Sequence, residues 1–322
     1  QLSLLTIDTA RRGEPVQELW THEDIPDLEY LIDPILIRGV PTVIFGEKGV
    51  AKSTMALVCY LCLTLPWHDN ELGLSVPAKP VHTLILDYEL PGYIAQRNLK
   101  KLVEGMDITE TIPLYHRRCS APLADDIEQV AEHITNLGIE VLIIDSLARA
   151  CGGELNKTEP ANNFFEALDK LNITSLILAQ TSKNEETQRK SIYGNALFTY
   201  YARSVWELCK SDTLQDDMLD VALFHRWANL TKLHKDIGFR FTFNGAHTTV
   251  TSEAVSVPEF IGKVNSQKAI LDILKRGPLS VDSIAQGIGK ETRNIRPLLT
   301  KLKIKGNIVN IATGMWGLAT RE

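Results

Sequence analysis

The chain has 322 residues, of which 44% are hydrophobic and 23% charged, and its formal net charge is −6. No apolar run approaches the roughly 18 residues of a membrane span, and the first residues lack the basic-then-apolar pattern of a secretion signal. The five cysteines, an odd number, argue against a disulfide framework. We therefore expect a cytoplasmic protein without a membrane partner, in which Cys59 and Cys62 are buried thiols rather than zinc ligands.

Charge is distributed unevenly along the chain. Residues 263–322 contain 11 Lys/Arg and 4 Asp/Glu, a net charge of +7, whereas the rest contains 23 and 36, a net charge of −13. This asymmetry predicts a large acidic domain followed by a small basic one. A basic tail suggests a nucleic-acid partner, although a solvated basic face is the alternative.

A phosphate-binding loop is predicted at residues 46–53, between an apolar strand at 41–45 and a helix at 52–65. The octet differs by one residue from the pattern G-x-x-x-x-G-K-[ST], and we expect ATP to contact all of it: Gly46, Glu47, Lys48, Gly49, Val50, Ala51, Lys52 and Ser53. Backbone amides would surround the phosphates, Lys52 would reach the β/γ oxygens, and the Ser53 hydroxyl would hold Mg²⁺. Ala51 replaces the last glycine, so its methyl group could cause strain or slow turnover if the backbone needs a positive φ.

Strands and helices alternate after this loop. Helices are predicted at 92–105, 125–137 and 160–171, and strands at 81–87, 112–116, 141–145 and 175–179, followed by shorter strands at 204–209, 219–226, 239–243 and 248–251. Continuously apolar strands that alternate with helices predict an α/β fold, in which a parallel sheet is covered on both faces. The later short strands predict an antiparallel extension.

Carboxylates and an amide follow the central strands. Asp145 ends its strand where an acid would hold Mg²⁺ through water, but Ser146 follows it, so no second acid is available there. Glu89 is therefore the candidate base for the attacking water, and Asp87 the candidate cap of the strand end. The alternatives are exchanged roles or a solvated Glu89. Gln180 is placed to sense the γ-phosphate, and the polar loop 183–191 follows it.

The order of these motifs resembles that of RecA-like ATPases. The chain has Ile-Asp-Ser-Leu-Ala-Arg around Asp145, Thr-Ser-Lys after Gln180, and GNALFTYYARSVWEL at 194–208. It resembles the RepA-type branch, which is related to hexameric replicative helicases, over residues 25–255. The resemblance implies ATP hydrolysis in a homo-oligomer such as a hexamer, with a cation supplied by the neighbouring subunit. Arg226 is the best candidate for that cation, Lys232 and Lys235 are substitutes, and a structural role for Arg226 is the alternative.

The tail is predicted to form a small domain at 266–322, separated by a linker at 256–265 from the ATPase domain at 1–255. Helices predicted at 266–275, 280–288 and 292–302, and a strand pair that ends at Trp316, resemble a winged helix. The third helix would enter the major groove of DNA, with contacts from Lys290, Arg293, Arg296 and Lys301. Protein docking is the alternative for this domain.

Three functions are compatible with these predictions. The first is an oligomeric DNA-dependent ATPase that acts as a helicase or translocase, with single-stranded DNA at the loops and duplex DNA at the tail. The second is an ATP-controlled DNA-binding regulator or loader. The third is a nucleotide-dependent scaffold whose tail binds protein.

Overall fold

The computed structural model describes residues 18, 27–182, 191–211, 217–255, 260, 266–312 and 314–319. The strands in this part of the chain are β1 (Tyr30–Ile32), β2 (Leu36–Ile37), β3 (Pro41–Gly46), β4 (Thr83–Asp87), β5 (Tyr115–Arg118), β6 (Val141–Asp145), β7 (Thr174–Gln180), β8 (Ser204–Lys210), β9 (Met218–Ala228), β10 (Ile237–Phe243), β11 (Thr248–Glu253), β12 (Leu279–Ser280), β13 (Ile308–Ala312) and β14 (Met315–Leu318). The helices are α1 (Lys52–Thr64), α2 (Gly92–Gly105), α3 (Ile127–Leu137), α4 (Leu147–Cys151), α5 (Thr158–Leu171), α6 (Leu197–Tyr201), α7 (Ser266–Leu274), α8 (Val281–Gly287) and α9 (Thr292–Ile304).

A nine-stranded sheet organises the body of the protein. Its strand order is β11-β10-β9-β8-β3-β7-β6-β4-β5. The six strands from β8 to β5 are parallel, and β9, β10 and β11 extend the sheet in antiparallel fashion. This is the RecA-like α/β arrangement, so the predicted fold class is confirmed. Because β3, β7, β6 and β4 run side by side, their carboxyl ends meet at one edge of the sheet.

Two apolar cores cover the faces of this sheet. One core contains α1, whose residues from Met55 to Cys62 are all buried, as is Leu63. The other contains the buried sides of α4 and α5, including Phe164 and Phe165. Because α1 is apolar on all of its sides, it is buried within this core rather than at the surface. All five cysteines are free and buried, as predicted for Cys59 and Cys62.

The short strand predicted at 112–116 is displaced in the structure. β5 begins at Tyr115, whereas Ile112 and Leu114 pack against the α1 core before the strand starts. The Tyr60 hydroxyl fixes this segment, since it donates to the Pro113 carbonyl at 2.6 Å and accepts from the Tyr115 amide at 3.1 Å. The apolar run is therefore a core contact that leads into the strand.

Within the described residues, three helices and a three-stranded sheet follow the body. The sheet has the order β12-β14-β13, and the Ser280 hydroxyl caps α8 by accepting from the Ser283 amide at 3.1 Å. The core of this tail includes Ile270 and Leu274 of α7 together with Phe224 of β9. Tail and body therefore share one apolar cluster. The predicted linker at 256–265 lies outside the described residues except for Phe260.

No helix in the described part of the chain is long and apolar enough to span a membrane.

Candidate active site

The phosphate loop connects β3 to α1 through an unusual backbone. Gly49 has φ 78°, and Ala51, the residue before α1, has φ 62° and ψ 33°. Both residues are therefore in the left-handed region, which an alanine occupies only at a cost. Ala51 therefore has the positive φ that would strain a residue with a methyl group, at the position where the pattern has glycine.

Lys52 folds back over the loop that precedes it. Its Nζ donates to the carbonyl of Gly46 at 2.9 Å and to that of Glu47 at 2.7 Å. Burial lowers the pKa of Lys52, and the nearby carboxylates of Asp145 and Glu89 partly oppose that effect. The ammonium group is thus held by two carbonyls of the loop, which it can exchange for phosphate oxygens.

Ser53 and Asp145 meet at the start of α1 and the end of β6. The Ser53 Oγ donates to the Asp145 Oδ2 at 2.6 Å. Burial, followed by the neighbouring carboxylates of Glu89 and Asp87, raises the pKa of Asp145 to about 6, although the Ser53 bond opposes this. A carboxylate whose charged form is disfavoured in this way gains from a cation. Hydroxyl and carboxylate oxygens are ligands that suit Mg²⁺, so these two residues fit the predicted metal.

Glu89 lies beside this pair and is exposed. Its Oε1 accepts from the Ser146 hydroxyl at 2.7 Å, across the gap between the ends of β4 and β6. Asp87 lies two residues earlier, and its Oδ1 accepts from the amides of Glu89 at 2.8 Å and Leu90 at 2.7 Å. Asp87 thus caps the strand end, and Glu89 carries the accessible carboxylate.

Three further residues support this arrangement and were not identified from the sequence as site residues. His116 lies 3.3 Å from the Asp87 Oδ2, and Arg149 donates to the Tyr88 carbonyl at 3.0 Å. Burial would raise the pKa of Asp87, but His116 and the two backbone amides together lower it. Ser146 and Arg149 belong to the Ile-Asp-Ser-Leu-Ala-Arg motif, which was a usable signal. His116 had none, because it comes from a strand that is distant in sequence.

Gln180 ends β7 opposite Gly46, the first residue of the phosphate loop. Its side chain is exposed, and its carbonyl accepts from the Tyr193 amide at 2.8 Å. Thr181 pairs with Ile192, which makes a short stem at the base of the predicted loop. The loop itself, residues 183–191, lies outside the described residues except for Ser191. Gln180 is therefore fixed between the phosphate loop and this stem.

Arg226 is held within its own chain. Its Nε lies 2.6 Å from the Oε2 of Glu207, a buried carboxylate on β8, and its guanidinium lies 4.7 Å from the centre of the Phe224 ring. Lys232 and Lys235 are exposed in the segment that follows β9. This arrangement favours the structural alternative for Arg226.

The basic residues of the tail lie mainly on the outward face of α9. Arg293, Arg296 and Lys301 are exposed, whereas Ile295, Leu299 and Leu302 are buried. Arg293 is ion-paired with Glu291, and the Lys290 Nζ donates to the Ser266 hydroxyl at 2.6 Å. The helix begins at Thr292, with Pro297 inside it. Three of the four residues predicted to contact DNA thus share one surface. The fourth, Lys290, is bound to Ser266 of α7.

One family model matches the part of the chain that contains the phosphate loop. The family AAA_25, described as an AAA domain, matches residues 8–186, which is more than half of the chain. The chain belongs to the AAA_25 family. Together with the phosphate loop and the sheet order, this identifies a P-loop ATPase of the RecA type. No curated protein matches the AAA_25 chain.

Among solved structures, the AAA_25 chain is similar to a KaiC-like protein from the hyperthermophilic archaeon Pyrococcus horikoshii. The two share 15% sequence identity with a TM-score of 0.44, over 73% of this chain and 99% of the other.

Proposed function

We propose that the protein is a DNA-associated ATPase of the RepA-like type, which hydrolyses ATP at subunit interfaces and acts as a helicase or translocase. The observation that carries this proposal is the meeting of Lys52, Ser53, Asp145 and Glu89 at one edge of the sheet. A phosphate-binding ammonium, a metal-binding oxygen pair and an accessible carboxylate are the groups that phosphoryl transfer to water requires.

Each of these side chains has a separate role in the proposed reaction. Residues 46–53 bind the triphosphate, and Lys52 moves from the loop carbonyls to the β/γ oxygens. Ser53 and Asp145 would hold Mg²⁺, with Asp145 acting through water as predicted, and the metal would supply charge neutralisation on the phosphates. Glu89 accepts a proton from the attacking water while Ser146 holds the other side of its carboxylate. Gln180 contacts the γ-phosphate and passes its loss to loop 183–191, which binds single-stranded DNA.

A cation from a second subunit completes the proposed site. Its positive charge stabilises the transition state of phosphoryl transfer. Arg226 remains a candidate, but its bond to Glu207 would have to break, at the cost of a buried and unpaired carboxylate. Lys232 and Lys235 carry no such cost in their exposed positions.

The proposed role of the tail is duplex DNA binding by a winged helix. The outward cations of α9, Arg293, Arg296 and Lys301, would contact phosphates and make affinity salt-dependent. Lys290 would join them by leaving Ser266. Replacing Arg296 with Ala should weaken binding to all duplex sequences alike if it contacts phosphate only.

A second function, an ATP-controlled DNA-binding regulator or loader, is favoured by one specific observation. The tail shares an apolar cluster with β8 and β9, and β8 pairs directly with the phosphate-loop strand β3. A tail attached in this way can respond to the nucleotide without strand separation. Slow hydrolysis that DNA does not stimulate, together with tight duplex binding, would select this function.

The catalytic assignment is tested by Glu89→Gln, with Glu128→Gln as a matched control on an exposed helix position. Glutamine keeps an oxygen for the Ser146 hydroxyl but cannot accept a proton. We expect retained ATP binding and a loss of hydrolysis by roughly 10²–10⁴-fold, whereas the control behaves as wild type. Lys52→Ala should lose nucleotide binding. Unchanged hydrolysis by Glu89→Gln would refute the role of Glu89.

A further inference from the structure

The turn at 87–92 joins β4 to α2 and carries Glu89, the candidate base. Asp87 fixes the backbone of this turn. Its carbonyl accepts from the Cys119 amide at 2.8 Å, and its Oδ1 accepts from the amides of Glu89 at 2.8 Å and Leu90 at 2.7 Å. Because these bonds join the carboxylate directly to the turn, a rotation of the Asp87 side chain would move the backbone of Glu89.

His116 holds the second oxygen of the same carboxylate. β5 pairs with β4 in parallel and places His116 opposite Ile85, so the His116 side chain points to the same face of the sheet as Asp87, two residues beyond Ile85. The His116 Nε2 donates to the Asp87 Oδ2 at 3.3 Å, and the two side chains are only 8% and 7% exposed. Without this donor a buried carboxylate oxygen would lose its partner, which is costly. The bond therefore fixes the orientation of the carboxylate.

The opposite side of the His116 ring lies against the far end of the turn. Gly92 is the first residue of α2, and a Cβ at this position would be 3.1 Å from the His116 Nδ1 and 3.6 Å from its Cε1. The ring thus fills the space between Asp87 and Gly92, the residues at which the turn begins and ends. One side chain from β5 therefore braces both ends of the turn that carries Glu89.

We propose that His116 is a positioning residue for ATP hydrolysis, which acts through Asp87 to hold Glu89 in place for the attacking water. The role of His116 rests on the proposed function, because it requires that Glu89 is the base. A displacement of about 1 Å can cost a reacting group up to roughly 10²-fold in rate. Nucleotide affinity depends instead on the phosphate loop at 46–53. His116 should therefore determine kcat and leave the affinity for ATP unchanged.

The test compares three single variants of the full-length protein. His116→Leu removes the donor, and His116→Gln keeps an amide donor that can reach the position of Nε2. His82→Leu is the matched control, since the His82 Nδ1 also lies near a neighbouring element, 3.0 Å from the Leu137 carbonyl, but at the opposite end of β4. Phosphate release gives kcat, calorimetric titration with ATP gives Kd, and thermal melting establishes that each variant is folded.

We expect His116→Leu to lower kcat by about ten- to a hundredfold with the Kd for ATP unchanged. His116→Gln should recover most of the lost rate, because it restores the bond to Asp87. The control should hydrolyse ATP as the wild type does. A general loss of folding would lower kcat and ATP binding together and would not be reversed by glutamine, so the split between kcat and Kd separates positioning from mere structural support.

The double variant Glu89→Gln/His116→Leu gives the sharper result. If His116 acts only through Glu89, the double variant should hydrolyse ATP at the rate of Glu89→Gln alone in single-turnover measurements. A wild-type kcat in His116→Leu, a loss of ATP affinity that matches the loss of kcat, no recovery in His116→Gln, or a further loss in the double variant would each overturn the role of His116 and leave the proposed function standing. Unchanged hydrolysis by Glu89→Gln would instead overturn the proposed function, and the role of His116 with it.

Discussion

Ala51 shows how one residue can depart from a motif without destroying the structure that the motif encodes. Its φ of 62° places a methyl group in the left-handed region, which costs an ordinary residue about 1–2 kcal/mol. The packing of Ala51 against the α1 core provides a compensating contact. The loop is thus retained, with strain stored at the entrance of α1.

The substitution Ala51→Gly should release this strain. Because glycine also adds freedom to the unfolded chain, we expect the free energy of unfolding to rise by only about 0.5–1 kcal/mol. Ala56→Gly is the control, since Ala56 lies inside α1 and should lose about 0.5–1 kcal/mol. Urea denaturation measures both. Equal destabilisation by the two changes would show that Ala51 is not strained.

Asp145 and Asp87 end neighbouring strands but have opposite electrostatic environments. The folded pKa of Asp145 is raised to about 6 from 3.8, so the stability that this group contributes is lost as the pH rises through 6. Asp145→Asn should therefore raise the free energy of unfolding at pH 7.5 and raise it less at pH 5. The pKa of Asp87 is lowered, so Asp87→Asn should destabilise at pH 7.5. Denaturation curves at both pH values test the pair, and the same sign for both variants would contradict this account.

At the scale of elements, the rings of His234 and His225 stack beneath residues 229–236, and His225 stacks on the buried Trp206. This stack predicts that the folded protein is less stable in acid. The Nδ1 of His225 accepts from the His234 amide, and the Nε2 faces the Ser204 hydroxyl at 3.1 Å, so the ring is neutral. Burial, followed by the nearby His234, lowers the pKa of His225 from 6.5 to about 4. In the unfolded chain His225 thus binds a proton near pH 6.5, whereas in the folded chain it binds one only near pH 4.

Stability should therefore fall as the pH drops from 6.5 towards 4. His225→Gln cannot titrate, so its free energy of unfolding should depend less on pH than that of the wild type over this interval. All other groups are common to both proteins, and the difference between their denaturation curves isolates His225. Parallel pH dependences would exclude His225 as the source.

The elements of the sheet were predictable where local pattern and tertiary role agree. The strand at 141–145 is continuously apolar and buried on both sides, and its predicted limits match β6. β5 was misplaced because Ile112 and Leu114 are apolar for the sake of the α1 core, which periodicity cannot distinguish from strand pairing. The β1–β2 pair was missed because both strands are short. The adjacent Asp33 also pairs with Ser75, which is distant in the sequence.

The site was predictable to the extent that it lies in contiguous motifs. The phosphate loop is a recognisable octet, and Asp145 ends a recognisable strand. The bond between Glu89 and Ser146 and the ion pair of Arg226 with Glu207 join residues 57 and 19 positions apart. Such contacts depend on strand order, because β4 and β6 are neighbours only once the sheet has formed.

At the scale of the whole molecule, the shared core makes the tail part of the body's structure. Phe260 is buried and meets the Phe224 ring edge-to-face with centroids 5.8 Å apart. Phe260→Ala should cost about 3–5 kcal/mol and loosen the tail selectively. We expect faster amide exchange at Ile270 and Leu274 and unchanged exchange at Ile144. Equal acceleration everywhere would show that the contact supports the whole fold instead.

The proposed function requires that ATP hydrolysis at the edge formed by Lys52, Asp145 and Glu89 serves DNA. The most direct measurement is the rate of ATP hydrolysis by the full-length protein with no DNA, with single-stranded DNA and with duplex DNA, and with Lys52→Ala as the inactive reference. We predict that single-stranded DNA stimulates hydrolysis at least about tenfold, a lowering of the barrier by roughly 1.4 kcal/mol, and that Lys52→Ala abolishes hydrolysis. A wild-type rate that neither DNA changes, or that survives in Lys52→Ala, would contradict it.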